Sequence, residues 1–554
     1  MIQKITPYRL LIIGVLLLLI TPYITTKFDL SEEKKFSLSE SSIQIIKQLN
    51  SPIKVKVFLD DENTPGGFKR LHKALISTLE ELKSNSKVPF QIEQIHIYKD
   101  YPTDQDRQNL AFYLDSLGIP PTNVVNNENG KKTQLMVFPG IVIEKDNHVS
   151  GALILKGNKL NTSQEILNQS IEGLEYEIIQ ALQSIQTDSR KKIGFLLDYS
   201  QVPALRQMDL IRAMKKKYDL YPVDLGQSAT LEGLDAICLI QPSKSFSTKD
   251  VFKIDQFLVK GGKAIFLMDG CKVDTVQQQG LVFTSNESGL EEFFFRNGIR
   301  LNSNIIKDAQ LSGAIPLIVG NFGDKPNMQL MPWPAFPLVE GNPTNIISKN
   351  LDAVYSKFIS SIDTFATNGL QKTILLSSSK LSKLQKSPAT LPFSASGKDF
   401  DPKNYTDGSQ IAAVLNQGYF QSIFKNRPIP NDSLKNYYQE KTSKKGAFIL
   451  VGDADIALNE LDPKSHQPLT LGYDLFSQHT FANKDFIMNA FAYLLDEQQS
   501  LMARNKEVKL RPLDKEKITK ERSFWQTINL ISPLIFAMFI GYLVIFYRKK
   551  KYSR

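Results

Sequence analysis

The chain has 554 residues, 42% hydrophobic and 22% charged, with a net charge of +10 and two cysteines. This composition excludes an extended disordered protein and a disulfide scaffold, and the length allows about two to four folded units. The charge does not mark a nucleic-acid surface: seven cations (Lys4, Arg9, Arg548, Lys549, Lys550, Lys551 and Arg554) sit at the two ends, leaving 60 against 57 acidic residues between them.

Residues 1–26 read as a cytoplasmic tip and a membrane helix built on the apolar run Leu10–Ile20. The following TPYITTKF lacks an A-x-A-like cleavage site, so an uncleaved anchor is expected rather than a signal peptide. Residues 27–187 then give the order β-α-β-α-β-β-α. IKVKVFL is a strand, and Phe68–Leu82 is a helix with Leu71, Leu75, Leu79 and Leu82 on one face. FQIEQIHIY reads as a strand and Asp104–Leu117 as a helix. TQLMVFPGIVIEK and HVSGALILK form a hairpin, and Ser163–Gln186 is a long helix. That order predicts a thioredoxin-like domain, without the C-x-x-C of a redox site.

Residues 188–505 read as a doubly wound α/β domain with a parallel sheet, of flavodoxin/amidotransferase-like kind. KKIGFLLDY, YDLYPVDL, LDAICLIQP and KAIFLMDG are strands, with helices at Ala204–Lys217 and from Ser247 or Thr248 to Val259, closed by Gly261–Gly262. About residues 309–410 the pattern loosens into an irregular insertion. Within it MPWPAFPLVEGNP predicts a proline-protected edge, and Ser377–Asn404 a mobile excursion. IAAVLN and GAFILVGD resume the strands, the latter expected in the same parallel sheet, and Asp485–Leu495 is a helix. A linker at 506–523 leads to a second membrane helix, Phe524–Tyr547, and a basic cytoplasmic tail at 548–554. Cations at the outer end of each apolar run place both termini in the cytoplasm and the large domain in the periplasm, on the inner membrane.

Several stretches carry a family resemblance. DLSEEKKFSLSESS, VFLDDENTPGGFKRLHKAL, FFFRNGIRLNSNIIKDAQ, MPWPAFPLVEGNPTNIISKNLDAVYSKFISSID and AAVLNQGYFQSIFKNR, followed by the tail from LGYDLFSQHTF through the last apolar helix, resemble the GldG family. These are the membrane-anchored accessory subunits of the gliding-motility ABC transporter of Bacteroidetes. VLNQGYFQS departs from the family by lacking an acidic residue before its glycine. The resemblance implies an ABC ATPase and a multi-span permease as partners, a substrate-binding-like role, and a middle domain like one in intraflagellar-transport proteins. It implies no enzyme activity, cofactor or metal. The residues agree with it in lacking G-x-x-x-x-G-K-[ST], so nucleotide must be handled by another subunit.

Parallel sheets bind ligands at the carboxyl ends of strands. Asp198, Asp269 and Asp453 stand at such ends, with Asp455 beside the last. They form a candidate ligand site, although aspartate also caps turns, and VGDADIALNE reads equally as a helix start. Trp333 and Phe336 are candidates for stacking a ligand. Cys271, with His466 or His479, is the residue on which a rival reading as a membrane-tethered hydrolase would rest. A scaffold independent of ATP turnover is the third reading.

Overall fold

The computed structural model describes residues 38–60, 64–128, 131–146, 148–155, 163–185, 190–277, 280–322, 325–349, 351–392, 401–495 and 515–552. They fall into two compact units, one within 36–506 and one that holds the C-terminal helix. The run Leu10–Ile20 and residues 506–514 of the linker lie outside the described residues, and residues 515–523 of the linker are helical, the start of the last helix.

The first sheet is built from β1 (Ile53–Val57), β2 (Phe90–Gln94), β3 (Gly140–Lys145) and β4 (His148–Leu153), in the order β2-β1-β3-β4. β1 is parallel to β2 and antiparallel to β3, and β3 pairs antiparallel with β4. Helix α1 (Gly66–Asn85) buries Leu71, Leu75, Leu79 and Leu82, the face its spacing dictates, beneath this sheet together with α3 (Ser163–Ser184). Between them α2 (Asp104–Ser116) starts at Thr103, whose side chain accepts the Asp106 N–H. Two sequence expectations change here. The strand at FQIEQIHIY stops at Gln94, and Ile97–Asp100 coils into one helical turn. TQLMV does not extend β3 but pairs with Thr122–Glu128 in a hairpin of its own.

The second sheet has ten strands. Its parallel half is β5 (Lys192–Leu196), β6 (Asp219–Val223), β7 (Ala236–Ile240), β8 (Lys263–Leu267) and β13 (Gly446–Val451), ordered β13-β8-β7-β5-β6. β7 and β13 are buried at every residue, as their unbroken apolar runs require. Helices cover both faces. α4 (Ala204–Lys215) and α6 (Asn483–Leu494) pack one side through Leu210, Met214, Phe486 and Phe491. α5 (Thr248–Val259) packs the other through Phe252, Ile254 and Leu258, with Phe293 and Phe294 of the short helix Glu291–Arg296.

The expected irregular insertion is instead the antiparallel half of this sheet. β9 (Ser312–Phe322), β10 (Lys325–Gly341), β11 (Leu370–Ser377) and β12 (Ile411–Gly418) continue from β13 in the order β9-β10-β11-β12-β13. The sheet is therefore mixed. MPWPAFPL is not an edge: it lies in β10, which pairs with β9, with Val354–Tyr355 and with β11. Its prolines are tolerated because Ala314 faces Pro332 while Ser312 faces Pro337, so residues 333–336 bulge out where the ladder is already broken. The expected mobile excursion is also structured in its first half. Ser382–Lys386 pairs with Asn304–Asp308, and Ala389–Pro392 with Gly280–Ser285. Asp308 fastens the base of this region, accepting from Ser379 N at 2.7 Å and from Gln310 N and Leu311 N at 2.9 Å.

The last helix, α7 (Lys515–Tyr552), contains a 27-residue stretch, Phe524–Lys550, whose most apolar 18-residue window has mean hydropathy 2.2 with none of that window buried. By length and composition it is long and apolar enough to cross a bilayer. Pro533 lies within it.

Candidate functional site

The carboxyl ends of β8 and β13 bring three of the four candidate aspartates together. Asp269, just past β8, accepts the Ala454 N–H at 2.9 Å through one oxygen and the Gln241 amide at 3.3 Å through the other. Asp453, fully buried past β13, accepts from Asp455 N and Lys357 N, both at 2.7 Å. Asp455 faces Arg206 at 3.2 Å. Asp198 stays apart, because β7 runs between its strand and β8; among the described residues it accepts a long bond from Gly226 N, at 3.4 Å. The expected helix after Asp455 is a single 3-10 turn, Asp455–Ala457, and Asp453 closes it by the bond to Asp455 N.

Crowding carboxyls in a dry place favours the protonated form. Burial first, then the charge of Asp455, pushes Asp269 up to about 7. The same causes, with Asp269 added, hold Asp453 well above the usual carboxylate range. The cluster therefore keeps protons near neutral pH. Among the described residues no group of three His, Cys, Asp or Glu side chains is placed to hold a metal ion.

The crevice beyond these strand ends is filled by the chain itself. Ser360 N donates to Gly452 O at 2.8 Å, and its hydroxyl accepts from Gly270 N at 3.1 Å. Both glycines are needed for this approach: a Cβ on Gly452 would fall on the Ser360 carbonyl, and one on Gly270 on the Asn302 carbonyl. Lys357, at the start of the same segment, pairs with Glu460. The pocket left beside Asp455, Lys357 and Glu460 is about 10 Å³, room for a water at most.

The aromatic candidates are packed. Trp333 is 5% exposed, with its ring 4.8 Å from Phe336 and 5.7 Å from Phe358, both edge-on. Cys271 is buried at the start of strand Cys271–Gln277 rather than on an elbow before a helix. Burial pushes its thiol up to about 11, with Ser387 and Ser360 as its hydrogen-bond neighbours, so the reactive thiolate is scarce. Cys238 lies in β7, also buried and raised by burial.

The opposite, amino edge of the parallel strands holds a cavity of about 520 Å³ that sequence reasoning missed. Residues 229–235 before β7, the end of α5, Gly261–Lys263 at the start of β8, Lys444 before β13 and the end of α6 enclose it. Five lysines and two carboxylates line it, over a floor that includes Phe252, Phe257 and Leu434. The Gly261–Gly262 pair was its one sequence signal. A Cβ on Gly262 would lie 2.5 Å from the Phe257 ring, and one on Gly261, which has φ +94°, 2.8 Å from the Lys444 stem.

A family described as "ABC-type uncharacterized transport system" has a model that matches residues 190–490, which takes in both halves of the ten-stranded sheet. A second, a domain of unknown function, matches residues 32–144. No curated protein matches. Among solved structures, the mmIFT52 N-terminal domain is similar at 10% identity and TM-score 0.31, covering 55% of this chain and 97% of its own. A putative thua-like protein from Parabacteroides merdae ATCC 43184 is similar at 9% identity and TM-score 0.27, covering 58% of this chain and 93% of its own.

Proposed function

The chain belongs to the ABC-type uncharacterized transport system family, and from that premise we propose that it is a non-catalytic accessory subunit of a gliding-motility ABC transporter of the GldG kind. Its partners would be a separate ATPase and a separate multi-span permease. The observation that carries this reading is one chain joining the family's domain, residues 190–490, to a long apolar helix whose core window is not buried among the described residues. A helix of that length and hydropathy is stable in lipid and costly in water.

In this reading both apolar ends are anchors, both termini are cytoplasmic, and residues 27–187 and 188–505 form the periplasmic body. The sheet order β2-β1-β3-β4 supports a thioredoxin-like first domain, and five parallel strands covered on both faces support a flavodoxin/amidotransferase-like second. The buried, protonated Cys271 gives a hydrolase no nucleophile to favour it over this role. The aspartate cluster serves as a clamp that fastens residues 357–361 over the strand ends.

The test is affinity purification of the full chain from native membranes in mild detergent. A P-loop ATPase and a polytopic permease should accompany it in fixed ratio. Recovery of the chain without either, from membranes in which other ABC complexes stay intact, would sink the proposal.

A further inference from the structure

We propose that the outward face of the β9–β10 ribbon lies on the bilayer and is covered by lipid acyl chains. This rests on the reading of α7 as a membrane anchor and adds a second contact with lipid, made by the folded body.

The first observation is which residues share a face. β9 and β10 pair Ala314 with Pro332, Pro316 with Leu330 and Ile318 with Met328. Partners directly opposite in an antiparallel ladder point the same way. All six are apolar, and Ile318, Met328 and Leu330 are 43%, 58% and 50% exposed. The other face of the ribbon is already in use: Ile315, Leu317 and Met331 pack in one cluster with Phe283 and Trp333. An antiparallel ribbon with one face on a core normally turns polar residues to water on the other. This one is apolar on both faces. Between Asp308 and Glu340 the only charged residues are the adjacent Asp324 and Lys325.

The occupant follows from what the face lacks. It is not made for another strand. Pro316 and Pro332 have no N–H, so these three pairs are the ones that do not bond to each other, and their main-chain groups turn outward. Among the described residues β9 pairs with β10 alone, and on its free side Pro316 removes the central donor. Nor is the face sized for a second copy. The half-exposed side chains of Ile318, Met328 and Leu330 offer on the order of 300 Å², against roughly 800 Å² on each partner in a stable complex. A smaller protein contact relies on an aromatic or arginine anchor and on polar groups that fix its register, and these six residues include neither. A bilayer asks only for apolar area free of charge. It is also within reach: residues 496–514 connect Leu495 to α7, a length of chain that spans at most about 65 Å. Anchoring by α7 keeps the body within tether length of the bilayer, so the weak affinity of one small face suffices.

The test uses the full chain in phosphatidylcholine nanodiscs, with an environment-sensitive fluorophore on a single introduced cysteine. The natural Cys238 and Cys271 are 1% and 4% exposed and stay unlabelled in the folded chain. Three chains are compared: Leu330→Cys on the ribbon, Leu534→Cys in the apolar stretch of α7, and Tyr221→Cys on β6, at the far end of the ten-stranded sheet. With a nitroxide on the lipid acyl chains, the labels at 330 and 534 should each lose about half of their emission or more, and the label at 221 should keep it. Adding Met328→Glu to the Leu330→Cys chain should abolish the loss at 330 with an unchanged melting curve, because Met328 is exposed. With the label at 534 quenched, any of three results overturns the proposal. One is a label at 330 that emits as in water. The second is a label shielded from water yet untouched by the nitroxide, which means that protein covers the face. The third is equal quenching at 330 and 221. Quenching at 330 that survives Met328→Glu overturns it as well. A label at 534 that escapes quenching would remove the anchor, and this contact with it.

Discussion

The two edges of the parallel half-sheet are made by the same strands and finished in opposite ways. At the carboxyl edge, main chain closes on main chain: Ser360 bonds Gly452 and Gly270, and the buried carboxyls of Asp269 and Asp453 are pushed toward their protonated forms beneath. At the amino edge, flexible lysine stems lie over aromatic rings and leave a hollow. The carboxyl edge is where an open α/β sheet normally takes its ligand. Here the chain's own residues 357–361 close that position, and the open space lies at the other end. The difference lies in what covers each edge: main chain at one, side-chain stems at the other.

The largest effect expected from this contrast is at Gly452. A methyl group there meets the Ser360 carbonyl, whose residue is tied down on both sides, its N–H donating to Gly452 O and its hydroxyl accepting from Gly270 N. Gly452→Ala should destabilise the chain by about 2–3 kcal/mol, read by chemical denaturation, with Ser360 displaced. Unchanged stability would mean that residues 357–361 do not seal the edge.

Much of this layout is written in the residues. The leucine spacing of α1 and the unbroken apolar runs of β7 and β13 dictated their elements and their burial, because one-sided and two-sided packing leave different patterns. The closure at Ser360 left no such trace. YSKFISSID has no periodicity, and its contacts are made mainly through main-chain atoms that any sequence carries, with the Ser360 hydroxyl adding one bond. The antiparallel half of the sheet was hidden by prolines in β10, which reads as a loop until the bulge at residues 333–336 is known. The cavity drew on six separated segments, of which only the glycine pair stands out locally.

The second effect is on pH dependence. Asp269 titrates at about 7 in the folded chain, against 3.8 for the ordinary carboxyl, and Asp453 is raised as well. A carboxyl raised on folding binds its proton more tightly in the native state. The stability it contributes is full below about pH 4 and is lost as pH rises through about 7. The wild type should therefore lose melting temperature between pH 5 and pH 8. Asp269→Asn keeps an acceptor for Ala454 N and adds no charge, so it should reduce that loss, by an amount on the order of 1–2 kcal/mol at pH 8. If the variant and the wild type follow parallel curves, the carboxyl edge is not the proton-sharing cluster described here.

The smallest effect completes the comparison, since it repeats the glycine substitution at the other edge. Gly261 has φ +94°, so Gly261→Ala carries a backbone strain of about 1 kcal/mol. Its new methyl group meets the Lys444 side chain, which is exposed and can swing aside, whereas the methyl at Gly452 meets a fixed carbonyl. The two alanines should thus differ in kind. Gly452→Ala should lower stability by the larger amount and displace Ser360. Gly261→Ala should lower stability little, because the lysine stem can move away from the new methyl group. Denaturation of the two variants side by side measures this. Equal stability losses would show an amino edge as rigidly closed as the carboxyl one, since only a stem unable to move would make the second methyl as costly as the first.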